Sequence, residues 1–390
     1  MPRKNAAQKR TAKPLQERDL GRWKLLAEFQ ERLSLAAGQA RGTWADPRRE
    51  LSQIDYLSLL LFGLFNPVVE SMRGLCAASA LGRVQGEVCG RPVSLGSFSE
   101  AQGLVDPGLL EKVFHDLAAE VTPAPGGRDR RLEAYRKKLI AIDGTLWAAL
   151  PRMAWAFWRQ QHGREGALKL HLKFNVLEEK PVGALIAPAK RCERSVLREM
   201  AKAGEFYVGD RYYGEDYALF NELKEAGCSF VLRLRQEARW EVMEEYPLTP
   251  ADRAAGVRSD AFVRLGAKSK SAPLRLVRVA GPREEILLVS DLLPEELPAE
   301  LVGQVYRARW RIELFFKWIK CILGCGHWLA ESPRGVALQI YCALIAALLL
   351  LAHSGRRPGK RAMEMIRFYL LGTATLEELC TQLGLEKKQT

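Results

Sequence analysis

Apolar positions recur at helical spacing from residue 23 to about residue 119, with breaks at Pro47, Asn66-Pro67 and Arg91-Pro92. This pattern predicts a helical region containing two helices over residues 68–82 and 98–117, with Ser94, Ser97 and Ser99 as candidate caps before the second. A polar, Pro/Gly-rich stretch at residues 121–131 reads as a linker, and beyond it the pattern changes to strands. The short apolar run at 139–142 predicts a buried strand that delivers Asp143 at its end. Leu168, Leu170, Leu172, Phe174 and Val176 alternate with Lys169, His171, Lys173 and Asn175, which predicts a strand with a basic outer face. Glu178-Glu179-Lys180-Pro181 makes the turn, and residues 182–186 return as the hairpin partner. A helix near 193–202, a strand at 206–208 placing Asp210 just past its end, a helix at 217–226 and a strand at 230–234 follow. Periodicity alone makes the class mixed α/β.

The stretch with the most chemistry is residues 306–320, YRARWRIELFFKWIK. At 100° per residue, Tyr306, Arg309, Glu313, Lys317 and Lys320 fall within about 40° of one line. Ile312, Phe315, Ile319 and Ile322 lie on the far side, as in a helix pinned to a core by one face and holding the other over a ligand. One acid flanked by cationic and phenolic groups suits a carboxylate that binds a divalent metal beside groups that bind a polyanion. An ordinary amphipathic helix with a charged face fits the same residues.

Composition adds a partner class. The 390 residues, 48% of them hydrophobic, are enough for two or three domains, and the formal net charge of +13 favours a polyanionic partner over an acidic small molecule. The basic N-terminus is not followed at once by an apolar core, so no secretory signal is expected and the location expected is cytoplasmic. The apolar run at 336–352 is at or below the length that spans a bilayer and reads better as a buried helix. Eight cysteines without CxxC pairing predict reduced, mostly buried thiols. Cys321, Cys325 and His327 form a small cluster that lacks a fourth zinc ligand at regular spacing.

The spacing Tyr306, Arg309, Glu313, Lys320 resembles the tyrosine-arginine-glutamate-lysine signature of bacterial insertion-sequence DDE transposases of family four. Asp143 in LIAIDGTLW and Asp210 in FYVGDRYYG resemble the first and second aspartates of those enzymes. The resemblance implies an RNase H-like catalytic core with a β-rich insertion and an N-terminal α-helical domain. It also implies metal-dependent cleavage of DNA at the element ends and strand transfer into target DNA, by way of a hairpin in family precedent. Asp143, Asp210 and Glu313 are then the catalytic and metal-binding acids, holding two Mg²⁺ or Mn²⁺ ions. Tyr306, Arg309, Trp310, Lys317 and Lys320 become DNA-binding residues, with Arg309 as a phosphate clamp and Trp310 stacking on a base. Trp240 lies far from where related enzymes carry their insertion-domain tryptophan, and a core role suits it better.

The organisation expected is a basic arm at 1–20, a helical DNA-binding domain at 21–120 and a linker at 121–135. A catalytic core at 136–235 and 292–355 follows, interrupted by a β-rich insertion at 236–291, and a helical segment at 356–390 ends the chain. The partners expected are double-stranded DNA and a second copy of the chain, with no membrane and no nucleotide cofactor. Two readings stay open beside transposition: an RNase H-like nuclease that cuts without joining, and a domesticated DNA-binding protein without catalysis. Taken singly, Asp143-Gly144 reads as an ordinary turn and Asp210-Arg211 as a surface ion pair.

Overall fold

The computed structural model describes residues 24–39, 50–66, 69, 71–123, 130–150, 152–160, 163–266, 272–325, 328–370 and 373–383. The arm at 1–20, His327 and most of the linker stretch lie outside these residues. In chain order come helices α1 (Lys24–Gln39), α2 (Gln53–Phe65), α3 (Met72–Ser79), α4 (Gly82–Glu87), α5 (Leu95–Leu104) and α6 (Pro107–Glu120). Strands β1 (Leu139–Ala148), β2 (Phe157–Gln160), β3 (Gly163–Asn175) and β4 (Lys180–Pro188) follow, then α7 (Glu193–Met200), β5 (Phe206–Gly209), α8 (Tyr217–Glu225) and β6 (Ser229–Arg233). Next are β7 (Trp240–Glu245), α9 (Pro250–Ala254), β8 (Val257–Leu265), β9 (Leu274–Val279) and β10 (Ile286–Ser290). Helices α10 (Ala299–Ala308), α11 (Trp310–Lys317), α12 (Pro333–Ser354), α13 (Lys360–Leu370) and α14 (Leu376–Leu383) complete the chain, with a π-helical turn at Trp318–Ile322 after α11.

Two compact units are formed, one of residues 1–117, 322–330 and 338–390, the other of 118–321 and 331–337. The described part of the first is helical. Ser94 is the cap used, accepting from the backbone N–H of Ser97, and Tyr56 packs on Phe98 at 4.9 Å between ring centroids. The helix expected over 98–117 is two helices, because Pro107 cannot continue α5 and instead starts α6, where Asp106 accepts from Gly108 N–H at 3.0 Å. Helix α12 is long and apolar enough to cross a membrane, yet it is mostly buried inside the protein.

The second unit is built on a ten-stranded sheet ordered β2-β3-β1-β5-β6-β10-β9-β8-β7, with β4 pairing β3. Among the described residues, only β1–β5 and β5–β6 are parallel. Their residues, such as Leu139, Ile140, Ala141, Val208, Phe230 and Val231, are buried, as befits short strands covered on both faces. The β3–β4 hairpin turns through Glu179 at φ 53°, the left-handed conformation a tight reversal demands.

Two expectations are corrected here. The face of β3 carrying Lys169, His171, Lys173 and Asn175 is not an outer one: His171 is 3% exposed, Lys173 4% and Asn175 1%. Helix α7 and the chain after it cover this face and satisfy it, with Lys173 Nζ bonded to Met200 O at 3.0 Å and to the Glu205 carboxylate, and Lys169 Nζ to Glu193 at 3.0 Å. The helix expected over 306–320 is interrupted at Arg309, which caps both α10 and α11, and ends in the π-helical turn. Strands β7 to β10 extend the main sheet, since β10 pairs with β6, and Trp240 in β7 is half-buried against the core.

Candidate active site

The register of β1 and β5 places the first two acids. Ile140 lies opposite Tyr207 and Ala141 opposite Val208, so two residues further along Asp143 and Asp210 emerge side by side. Asp210 follows directly after the last residue of β5, at the carboxyl end of a parallel strand, the usual location of ligand sites in such sheets. Each carboxylate is oriented by its own turn. Gly144 N–H donates to Asp143 Oδ1 at 2.7 Å, and Tyr212 N–H donates to Asp210 Oδ1 at 2.9 Å.

Glu313 reaches this point from α11. The apolar face of that helix is pinned to the sheet through Phe315, which lies 5.1 Å from Phe174 of β3 between ring centroids. On its other face Arg309 donates from one guanidinium nitrogen to Glu313 Oε1 at 2.7 Å, while a second stands 3.6 Å from Asp143 Oδ2. A single half-buried cation thus lies between the first and third acids. The Arg309 guanidinium is also 5.8 Å from the centre of the Tyr306 ring. Lys320, in the π-helical turn, donates to Leu146 O of β1 and sits 4.6 Å over the Trp147 ring. Trp147, near Asp143 in sequence, is therefore the platform for one of the expected DNA-binding lysines. Lys317 and Trp310 are exposed on α11, the latter at 56%.

Burial pushes the Asp143 carboxyl up to about 7, with Arg309 and the Gly144 N–H opposing and the charges of Glu193 and Asp210 adding to the rise. Among the described residues, no three His, Cys, Asp or Glu side chains are gathered closely enough to hold a metal ion. The hard oxygen donors of Asp143, Asp210 and Glu313 nevertheless suit Mg²⁺ or Mn²⁺ in kind. The Cys321, Cys325 and His327 cluster cannot be described, because His327 lies outside the described residues; Cys321 is exposed and Cys325 buried.

A pH dependence follows from the Asp143 environment. Without metal, the folded chain holds the Asp143 proton up to about pH 7 whereas the unfolded chain releases it near 3.8. More protons are then bound folded than unfolded, so this group's contribution to stability falls as pH rises across that window. Asp143→Asn is expected to remove the fall. In chelator, the melting temperature of the wild type should drop relative to the mutant between pH 5 and pH 8, and parallel curves would contradict the assignment.

Sequence reading missed Glu193, Tyr213 and Lys169, which meet next to Asp143. Glu193 Oε1 accepts from Lys169 Nζ at 3.0 Å, and Tyr213, 3% exposed, donates its hydroxyl to Glu193 Oε2 at 3.2 Å. Nothing in the sequence singles them out, because an acid in the first turn of a helix is ordinary.

With this geometry in view, comparison with known proteins defines the class. The profile of the family described as "Transposase DDE domain" matches residues 134–349, more than half of the chain, and the chain belongs to that family. Its relatives include a putative transposase, y4zB, of Sinorhizobium fredii (strain NBRC 101917 / NGR234), 30% identical over 240 residues, or 60% of this chain and 65% of the relative. A probable transposase for insertion sequence element IS5377 of Geobacillus stearothermophilus is 26% identical over 227 residues, 57% of this chain and 58% of the relative. The transposase for insertion sequence element IS421 of Escherichia coli is 24% identical over 253 residues, 55% of this chain and 65% of the relative. The matches thus span somewhat less than two thirds of these relatives. A piggyBac transposase synaptic complex with hairpin DNA, solved by cryo-EM, superposes at a TM-score of 0.45 with 10% identity, over 95% of this chain and 84% of that one. The resemblance to insertion-sequence DDE transposases read from Tyr306, Arg309, Glu313 and Lys320 is borne out.

Proposed function

We propose that this chain is an insertion-sequence transposase that cuts DNA at the ends of its element and joins them to target DNA, with an RNase H-like core carrying Asp143, Asp210 and Glu313 as catalytic acids. The observation that carries the reading is the Arg309 guanidinium standing between Asp143 of β1 and Glu313 of α11, with Asp210 at the end of the neighbouring parallel strand β5. Asp143, Asp210 and Glu313 would hold two Mg²⁺ or Mn²⁺ ions, whose chemistry is activation of the nucleophile and neutralisation of charge on the leaving oxygen.

The chain's own residues do the positioning. Arg309 presents a planar fork suited to a phosphate, and Tyr306 lies beneath it. Lys320, held against Trp147, and exposed Lys317 supply point charges along the same side, and the exposed Trp310 ring can stack on an unpaired base. The N-terminal helices bind the element ends, and a homodimer holds two ends together. The enzyme acts in the cytoplasm on nucleoid DNA.

The test uses the purified chain, Mg²⁺, a labelled duplex carrying the DNA that flanks this reading frame, and a target plasmid. The expected products are a 3′-hydroxyl nick at a fixed position and covalent joining of that end to the plasmid. Cutting that never leads to joining, even with matched ends, would replace the transposase by a nuclease. Lys317→Ala and Lys320→Ala are each expected to weaken end binding and to lower the slope of log affinity against log salt by about one. Fluorescence anisotropy over a salt series measures this, and an unchanged slope would remove the lysines from the interface.

A further inference from the structure

Opposite residues of an antiparallel pair share a face, so Gly144 and His171 face one side of the sheet while Asp143, paired with Leu172, faces the other. Helix α7 brings Glu193 to the Gly144 side. A Cβ at Gly144 would stand 2.9 Å from Glu193 Oε1 and 3.0 Å from the Lys169 side chain, so the missing side chain is what lets this carboxylate lie against β1 beside Asp143. Lys169 and the Tyr213 hydroxyl fix its two oxygens, and each oxygen keeps a further lone pair. Asp143, His171, Glu193 and Tyr213 line one small cavity. There His171, 3% exposed, has an Nε2 with no hydrogen-bond partner among the described residues, a buried polar atom left for something the cavity admits.

We propose that Glu193 is a fourth acid of the centre, a positioning residue that holds negative charge behind Asp143 and Asp210, so that all three together attract the divalent cation. This rests on the metal-binding reading of Asp143 and Asp210. The role differs from that of a plain structural partner of Lys169 and Tyr213, because it depends on charge. A glutamine at this position can still accept from Lys169 through its amide oxygen and donate its NH2 to the Tyr213 hydroxyl oxygen, but carries no charge.

The test is Mn²⁺ binding to the full-length chain without DNA, followed by the electron paramagnetic resonance signal of the free ion, beside melting temperatures. Glu193→Gln is expected to weaken Mn²⁺ binding about tenfold, in the range seen when groups behind metal ligands are changed, while the lost ion pair with Lys169 lowers the melting temperature without unfolding the chain at the assay temperature. Gly144→Ala, which displaces the carboxylate without touching it chemically, should weaken binding in the same direction. Glu193→Gln binding as tightly as wild type while Asp143→Asn loses binding would overturn the proposal and leave the metal reading standing. Asp143→Asn binding like wild type would overturn that reading, and the role of Glu193 with it.

Discussion

Glu313→Gln is expected to bind the element end as wild type does and to lose nicking by about a thousandfold or more, equivalent to ~4 kcal/mol or more of lost barrier lowering. The substitution keeps the size of the side chain and an oxygen that can accept from Arg309, now 2.7 Å from Glu313 Oε1, so the seat of α11 on the sheet should persist. What disappears is one negative charge next to Asp143. On the proposed reading Tyr306, Arg309, Lys317 and Lys320 contact the DNA end, and none of them is altered. A gel shift and a nicking assay on one labelled duplex separate the two functions, and a mutant that still nicks would take Glu313 out of the mechanism.

The largest effect on stability is expected from Arg275→Ala. The Arg275 side chain is fully buried and grips Asp260 with two parallel bonds of 2.8 and 2.7 Å, while a third nitrogen donates to Leu292 O at 3.3 Å and to Leu297 O. Truncation would strand a buried Asp260 carboxylate and two carbonyls, a loss of about 3–5 kcal/mol. For a unit of this size that lowers the melting temperature on the order of 10 °C, measured by calorimetry. Because the two carbonyls belong to the segment leading into α10, the change should also loosen the approach to Tyr306. Replacing Arg275 and Asp260 together by apolar residues of similar volume should recover much of the loss; failure to recover would place the stabilisation elsewhere.

The sequence made legible those parts of the site whose physics is local. The two-faced pattern around Glu313 follows from helical period, and Phe315 against Phe174 with Arg309 on the other face is its direct result. Asp143 does follow the apolar run, but the strand expected to end there runs on to Ala148 because β3 stays paired with it, so Asp143 sits in mid-strand just beyond the last parallel pairing with β5. The basic alternation of β3 misled for a definite reason: period two separates the faces of a strand but cannot say that Glu193, Met200 and Glu205 would come to satisfy the polar one. The meeting of Glu193 with Gly144 depends on a contact between elements far apart in the chain, and so does the pairing of β10 with β6 that merges the β-rich stretch into the main sheet. The break at Arg309 has no Pro or Gly to mark it, and the backbone there keeps helical angles of φ −51° and ψ −37°.

The most direct test of the central claim is Mg²⁺-dependent nicking of a duplex carrying the DNA that flanks this reading frame, with wild type beside Asp210→Asn. Three acids acting as one centre predict cutting at a fixed position by the wild type, lost on chelation and lost in the mutant despite unchanged end binding. Cutting by Asp210→Asn at the wild-type rate and position would contradict the account.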